Sequence, residues 1–321
     1  MSRFARIIER HSAAVLVLCF LVAFGLARPA TFLSQANLEN IARQISLDAP
    51  MVFGQVVVLI AGGIDISVGA NMAMAAALTI GLQQFGTPAA VLGALTFGLV
   101  AGLANGLMVT RGKIVAFVAT LGTMSVMNGL VLTYTGQQSL SGHDLGFTWW
   151  GGGQIGPIPV PLVVVLTLLI GLYVLLEYTR YGRDLYAIGG NREAAFLGGV
   201  SVNSGLLLAF AISGLMSAVA GVLVASRLNS ASAQLGGDAS LMSISAALIG
   251  GASLLGGKGR IAAAFLGVLA LGMLNNGMNL LGVPTYTQIA VRALILIAIV
   301  AIDAFGTKLA RRGGASPRFV D

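Results

Sequence analysis

Apolar residues run along this chain in long stretches separated by brief polar breaks, from one end to the other. A helix that crosses the hydrocarbon of a bilayer takes about 20 mostly apolar residues. Ten segments fit that template, near 13–28, 44–61, 67–85, 88–110, 114–133, 158–176, 204–226, 241–256, 261–281 and 286–304. The pattern predicts an all-α integral membrane protein of about ten transmembrane helices, a single polytopic domain over 1–321 with short connections. Glycines interrupt several runs, so some boundaries fall within bent helices.

Composition narrows the class. Of 321 residues, 57% are apolar and 9% charged, against about 45–50% and about 25% in soluble domains. That excludes a soluble globular enzyme and a disordered chain, and the single cysteine, Cys19, excludes a disulfide scaffold. The formal charge of +7 has an uneven placement. If the N-terminus is cytoplasmic, the inner segments carry Arg3, Arg6 and Arg10, then Arg111 and Lys113, then Arg180, Arg183 and Arg192, then Lys258 and Arg260, and finally Lys308, Arg311, Arg312 and Arg318. Only Arg28, Arg43 and Arg227 fall outside, and Arg292 lies within the last span. This is the positive-inside asymmetry at every alternation. It predicts cytoplasmic N- and C-termini and reads the basic charge as topology, with contact to anionic lipid, and not as a nucleic-acid footprint. The basic start before Ser12–Ala27 has the outline of a signal peptide, but Arg28 and Pro29 spoil a small-x-small cleavage site. The segment is read as a retained helix.

Two internal similarities relate the halves. Gly62-Gly63-Ile64-Asp65-Ile66-Ser67 precedes the third span and Gly236-Gly237-Asp238-Ala239-Ser240 the eighth. Leu103-Ala104-Asn105-Gly106 closes the fourth span and Leu274-Asn275-Asn276-Gly277 the ninth. Both pair span n with span n+5, and five is odd, so the halves at about 13–133 and 158–304 run in opposite directions. Inverted five-helix repeats place a transport path between the halves near the midplane. In the two turns, glycines permit left-handed backbone, and Asp65, Ser67 and Asp238 stand where a side chain can cap the next helix. A moving gate built from Gly62, Gly63, Asp65, Ser67 and Asp238 is the functional alternative.

No enzyme chemistry is legible, and no catalytic, cofactor or metal residues are assigned. The two histidines, His11 and His143, fall in different compartments of the predicted topology. Gly151–Gly156 fits G-x-G-x-x-G without its strand–turn–helix context, and Gly256-Gly257-Lys258-Gly259 lacks the first glycine and the hydroxyl residue of a phosphate loop. Asp48 and Arg292 are the clearest intramembrane ions. They are functional candidates or partners of each other. Midplane acids are otherwise scarce, which argues against a gradient-driven secondary carrier. Neutral polar residues inside spans are more frequent, among them Gln55, Asn71, Thr120, Thr123, Ser125, Asn128, Asn275, Asn276 and Asn279. Asn71, Ser125, Asn128, Asn275, Asn276 and Asn279 are candidates for a path that passes a neutral, hydroxyl-rich solute. Interhelical hydrogen bonding is the alternative at each. Gly98, Gly102 and Gly106, like Ser213, Ser217 and Gly221, repeat at the four-residue spacing of packing faces.

The longest inner connection, 177–203, contains a short predicted helix at 191–199. Asn191 is its N-cap, Glu193 lies in its first turn, and Gly198-Gly199 stop it. Phe196, Leu197 and Val200 would then face a partner.

Here the chain resembles a known family, the permease subunits of bacterial ABC importers for ribose and other simple sugars. Glu193-Ala194-Ala195 followed by Gly198 is similar to the ATPase-coupling segment of ABC import permeases. Gly62–Gly69, Ala119–Ser125, Tyr186–Asn191, Gly250–Gly259 and Leu274–Val283 resemble signatures of the ribose-type group, in order along nearly the whole chain. One departure stands out. Where that group carries an acidic Glu-Leu-Asp pattern before Ala246-Ala247, this chain has Ser240-Leu241-Met242.

The resemblance implies an inner-membrane subunit that binds no cofactor itself. ATP and Mg would be bound by a partner ATPase, an extracytoplasmic sugar-binding protein would deliver the solute, and a second permease copy, identical or not, would complete the channel. Asn191, Glu193, Ala194, Ala195, Phe196, Leu197 and Gly198 would form the ATPase-coupling contact. The outer loop 134–157 with Trp149 and Trp150 would face the binding protein, unless the tryptophans only anchor at the interface. The expected solute is a monosaccharide. Nucleosides, branched-chain amino acids or a furanose-like signalling molecule suit the same architecture.

Overall fold

The computed structural model describes residues 3–312, with side chains for 13–298 and 301. The terminal basic residues expected inside (Arg3, Arg6, Arg10, Lys308, Arg311, Arg312 and Arg318) and His11 have side chains outside that range. In chain order the helices are α1 (Arg3–Ala27), α2 (Pro29–Phe32), α3 (Gln35–Ile60), α4 (Val68–Gly81), α5 (Thr87–Thr110), α6 (Ala116–Thr135) and α7 (Thr148–Gly152). Then come α8 (Val160–Tyr178), α9 (Arg180–Gly190), α10 (Arg192–Leu197), α11 (Val202–Leu228), α12 (Ala239–Ile249), α13 (Ile261–Leu280) and α14 (Thr285–Arg312). Two antiparallel two-residue ladders complete the fold. β1 (Leu140–Ser141) pairs with β4 (Ser230–Ala231), and β2 (Gln154–Ile155) with β3 (Ile158–Pro159).

Each of the ten apolar segments overlaps one helix. Among the described residues six, α3, α5, α6, α8, α11 and α13, are long and apolar enough to cross a membrane. Two of the others differ from the sequence expectation. At 1.5 Å per residue, the 14 residues of α4 and the 11 of α12 span only about 21 and about 16 Å, short of a core about 30 Å thick. The expected span 241–256 is cut at Ile249, where Gly251 turns left-handed (φ +81°) and the N–H groups of Gly251 and Ala252 close back onto the carbonyls of Leu248 and Ala247. The residues beyond are apolar enough to read as helix but form a loop.

α11 is the central post, packed against α3, α4 and α5. The expected packing stripes make these contacts. Gly102 of α5 lies so close that a Cβ would overlap the Phe210 carbonyl, and Gly98 and Gly106 pack on Gly214 and Leu207. Gly221 meets Met72 of α4, and Gly54 of α3 meets Ser213. Small residues permit such backbone approach where apolar contact alone gives no direction. Val52, Phe53, Val56, Leu59, Phe210 and Leu271 fill the adjoining core. α13 packs against α1, α3 and α12 on another side. α6 packs against α4, α5 and the turn at Ala233–Gly236 and exposes Val118, Leu121, Val126 and Leu130.

A strap closes the end opposite α10. The Gly142 N–H donates to the Asn229 carbonyl (2.8 Å), and Gln83 Oε1 accepts from the His143 N–H (2.8 Å). The Thr87 hydroxyl, aided by the Phe147 and Gly146 N–H groups, holds the Asp144 carboxyl below the usual carboxylate range.

Candidate functional site

The first turns of α4 and α12 abut. Gly69 and Gly236 touch through backbone, and a Cβ on either would strike the other's carbonyl. Ser240 Oγ accepts the Gly69 N–H (3.1 Å) and donates to the Ile66 carbonyl (2.7 Å). The two glycine turns that share a sequence pattern are therefore in contact.

Behind this meeting point lies a buried polar network. The Thr123 hydroxyl donates to Asn105 Oδ1 (2.6 Å), Asn105 Nδ2 to Ser67 Oγ (2.9 Å), and Ser67 Oγ to Asp65 Oδ1 (2.6 Å). Asp65 also accepts the Ser67 N–H (3.0 Å) and the Ser213 hydroxyl (2.8 Å). Thr120 takes the Ile66 N–H (3.2 Å). Helices α5, α6 and α11 thus hold the segment that enters α4, as burial of so many polar groups requires.

The capping expectation is corrected here. Neither aspartate caps a helix with its side chain. The N-cap position of α4 is Ser67, whose side chain bonds to Asp65 and Asn105 and not to the helix N–H groups. Asp238 occupies the N-cap position of α12, but its carboxylate turns to Arg292 of α14 (3.4 Å). Arg292, read as one candidate partner of Asp48, makes its ion pair with Asp238 at the start of α12 and also acts on Asp48 through its charge.

A cavity of about 360 Å³ opens beside the meeting point, lined by Ala70, Met124, Asn128, Val131, Leu132, Ala233, Gln234, Gly236 and Gly237. Of the expected path residues only Asn128 lines it. Ser125 is on an exposed part of α6 and bonds back to the Leu121 carbonyl (3.0 Å). Of the other four, three are engaged elsewhere, and Asn275 is buried within α13 with its Oδ1 unpartnered among the described residues. Asn71 is buried and donates to the Gly214 carbonyl (3.0 Å). Asn276 exchanges hydrogen bonds with Asn37 (3.0 and 2.8 Å). Asn279 accepts from Gln288 (2.7 Å). For Asn71, Asn276 and Asn279 the amide ties chain segments together, the alternative that sequence alone left open.

At the far end, Asn191 Oδ1 accepts the Ala194 N–H (3.0 Å) and starts α10, and Gly198 ends it. Ala195 faces inward. Glu193 and Ala194 are exposed, and Phe196 and Leu197 are 69% and 79% exposed, more than most apolar side chains in the chain. Arg192, the first residue of α10, donates from Nη2 to the Gly62 carbonyl (3.1 Å).

The family profile described as branched-chain amino acid transport system / permease component matches residues 37–300. The chain belongs to that family. It is a multi-pass membrane protein, similar to the ribose import permease protein of Bacillus subtilis (strain 168), with 41% identity over 85% of this chain and 86% of the relative. The D-allose transport system permease protein of Escherichia coli (strain K12) is 33% identical over 95% of this chain and 94% of its own. The L-arabinose transport system permease protein of the same strain is 34% identical over 96% and 94%. No solved structure matches.

Several residues of this permease escaped the sequence reading. Helix α9 lies inside the connection read as one short helix. Thr179 caps it, and Tyr181, Leu185 and Ile188 recur at helical spacing along it, a signal that was present. Ser213 read as a packing residue and Arg192 as a topology marker. No spacing rule places either beside the Gly62–Ser67 turn, because those contacts span 148 and 130 residues.

Proposed function

We propose that this chain is the transmembrane permease subunit of an ATP-driven importer and carries a monosaccharide. One observation carries the reading: ribose, allose and arabinose permeases match it at 33–41% identity over 85–96% of its length. The cavity chemistry supports a neutral solute. Asn128 and Gln234 offer amides that both donate and accept, and no charged side chain lines the cavity. That lining suits hydroxyls better than the zwitterion of an amino acid, whose charges need partners when desolvated.

In this reading ten segments cross the membrane in inverted halves, α4 and α12 as short helices completed by non-helical chain, and both termini lie in the cytoplasm. The α10 end faces inward, where Phe196 and Leu197 dock a separate ATPase that binds ATP and Mg. The strap end faces an extracytoplasmic sugar-binding protein. The exposed face of α6, with Ser125 and Asn128, meets a second permease copy, and the solute passes between the copies beside the α4–α12 meeting point. Gly62, Gly63, Asp65 and Ser67 belong to the element that moves.

The test is uptake of labelled ribose, allose and arabinose in cells lacking their own importers and expressing this chain with its cognate ATPase and binding protein. Uptake of one of these sugars that stops when the ATPase is inactivated is the expected result. Unchanged uptake without a working ATPase, or gradient-driven flux in liposomes holding this chain alone, would sink the reading.

A further inference from the structure

Three glycine pairs from distant parts of the sequence meet at the α10 end: Gly62-Gly63 after α3, Gly189-Gly190 at the close of α9, and Gly256-Gly257 in the loop after α12. α3 finishes with Gly62 in the left-handed region (φ +74°), and the N–H groups of Gly62 and Gly63 return to the carbonyls of Leu59 and Val58 (2.9 Å each). Two carbonyls at this helix end take partners from other segments. The Ile60 carbonyl accepts the Gly257 N–H (2.9 Å), and the Gly62 carbonyl accepts Arg192 Nη2 (3.1 Å). The backbones lie against one another. A Cβ on Gly189 would overlap the Ile60 carbonyl, and one on Gly256 would stand 2.8 Å from Gly62 Cα. The Tyr186 hydroxyl ties α9 to the same loop through the Gly259 carbonyl (2.8 Å).

This arrangement has a mechanical meaning. Arg192 begins α10, and Gly62 lies three residues before Asp65 on the segment that enters α4. The loop bearing Gly257 follows directly from α12. A displacement of α10 therefore reaches the entry to α4 through one side chain, and the exit of α12 through packed backbone with no side-chain slack. A guanidinium at the carbonyl end of a helix gains from the helix dipole and from a charge-assisted hydrogen bond.

We propose that Arg192 is a positioning residue that fixes the 62–67 turn to α10, and that the glycine junction carries movement of α10 to α4 and α12 together. This rests on the reading of α10 as the ATPase-docking segment. Arg192→Met keeps the aliphatic stem and removes the donors, and Arg192→Lys restores a charged donor. The first readout needs no partner: hydrogen–deuterium exchange over residues 61–67 in the full chain held in lipid nanodiscs. Exchange there is expected to rise about threefold in Arg192→Met, the scale of one lost solvent-exposed charge-assisted bond, and to return most of the way in Arg192→Lys. The second is the ratio of sugar moved to ATP hydrolysed in the assembled transporter. It is expected to fall about threefold in Arg192→Met while assembly, followed by size-exclusion chromatography, stays intact. Arg192→Gln, read the same way, serves if Arg192→Met does not fold.

Unchanged exchange over 61–67 overturns the proposal. So does a fall in transport and hydrolysis together at constant ratio, which would make Arg192 an ATPase-docking contact only. If the unmodified transporter shows no ATP-dependent uptake, the proposed function fails, but the exchange measurement still decides the role of Arg192.

Discussion

Ser67 and Ser240 open or flank helices whose first turns touch, yet the aspartates near them stand in different surroundings. Asp65 is 1% exposed and accepts three hydrogen bonds, from Ser67 twice and from Ser213. The Asp238 side chain is 55% exposed and has one ion pair at 3.4 Å, with Arg292. The Gly-Gly…Asp…Ser pattern is thus shared while the energetics are not. The first turn is locked from three sides, and the second is held mainly through Ser240 and Gly236. A similarity between two halves of a chain fixes where the backbone must bend, and the neighbours decide how firmly.

The largest effect that would break this contrast is expected at Asp65. Asp65→Ala leaves two hydroxyls and an N–H without their acceptor in a buried site, at a cost of about 3 kcal/mol. Thermal unfolding of the purified chain in detergent should show a large fall in Tm, and a shift no greater than that of Asp238→Ala would end the distinction. An intermediate effect is expected where the two turns touch. Gly69→Ala puts a Cβ within 2.8 Å of Ser240 Oγ and against the Gly236 carbonyl, an overpacking worth about 1–3 kcal/mol in the same assay. Gly171→Ala, with open space at its Cβ inside α8, is the control and should not lower Tm, since alanine favours the helix. The smallest effect is expected at Asp238→Ala. The pair it removes is half in solvent, so its loss changes stability by less than about 0.5 kcal/mol, and high salt should erase even that.

The elements were easier to read than their meetings. Long apolar runs disclosed where helices lie, and Asn191 and Gly198 marked the ends of α10, because those signals are local. The half-length of α12 was hidden because Ala252, Leu254 and Leu255 continue its apolar run past Gly250-Gly251. The fate of the asparagines was hidden for another reason. An amide in an apolar helix wants a partner, and the sequence does not say whether that partner is a solute or another helix. Asn276 found Asn37 and Asn71 found the Gly214 carbonyl, whereas Asn128 was left facing a cavity. The three glycine pairs were visible as separate motifs, but nothing in their spacing tells that they touch.

The long reach of the bonds around α4 also bears on how the chain is made. Asp65 meets Ser213 across 148 residues, and the Gly69 N–H meets Ser240 across 171. When α4 leaves the ribosome, neither hydroxyl has been synthesised. The amino-terminal half must wait in the insertion machinery or the lipid with an incomplete polar centre until α11 and then α12 arrive. A ribosome stalled between these two helices would release a chain whose first half is fully translated and still unfinished.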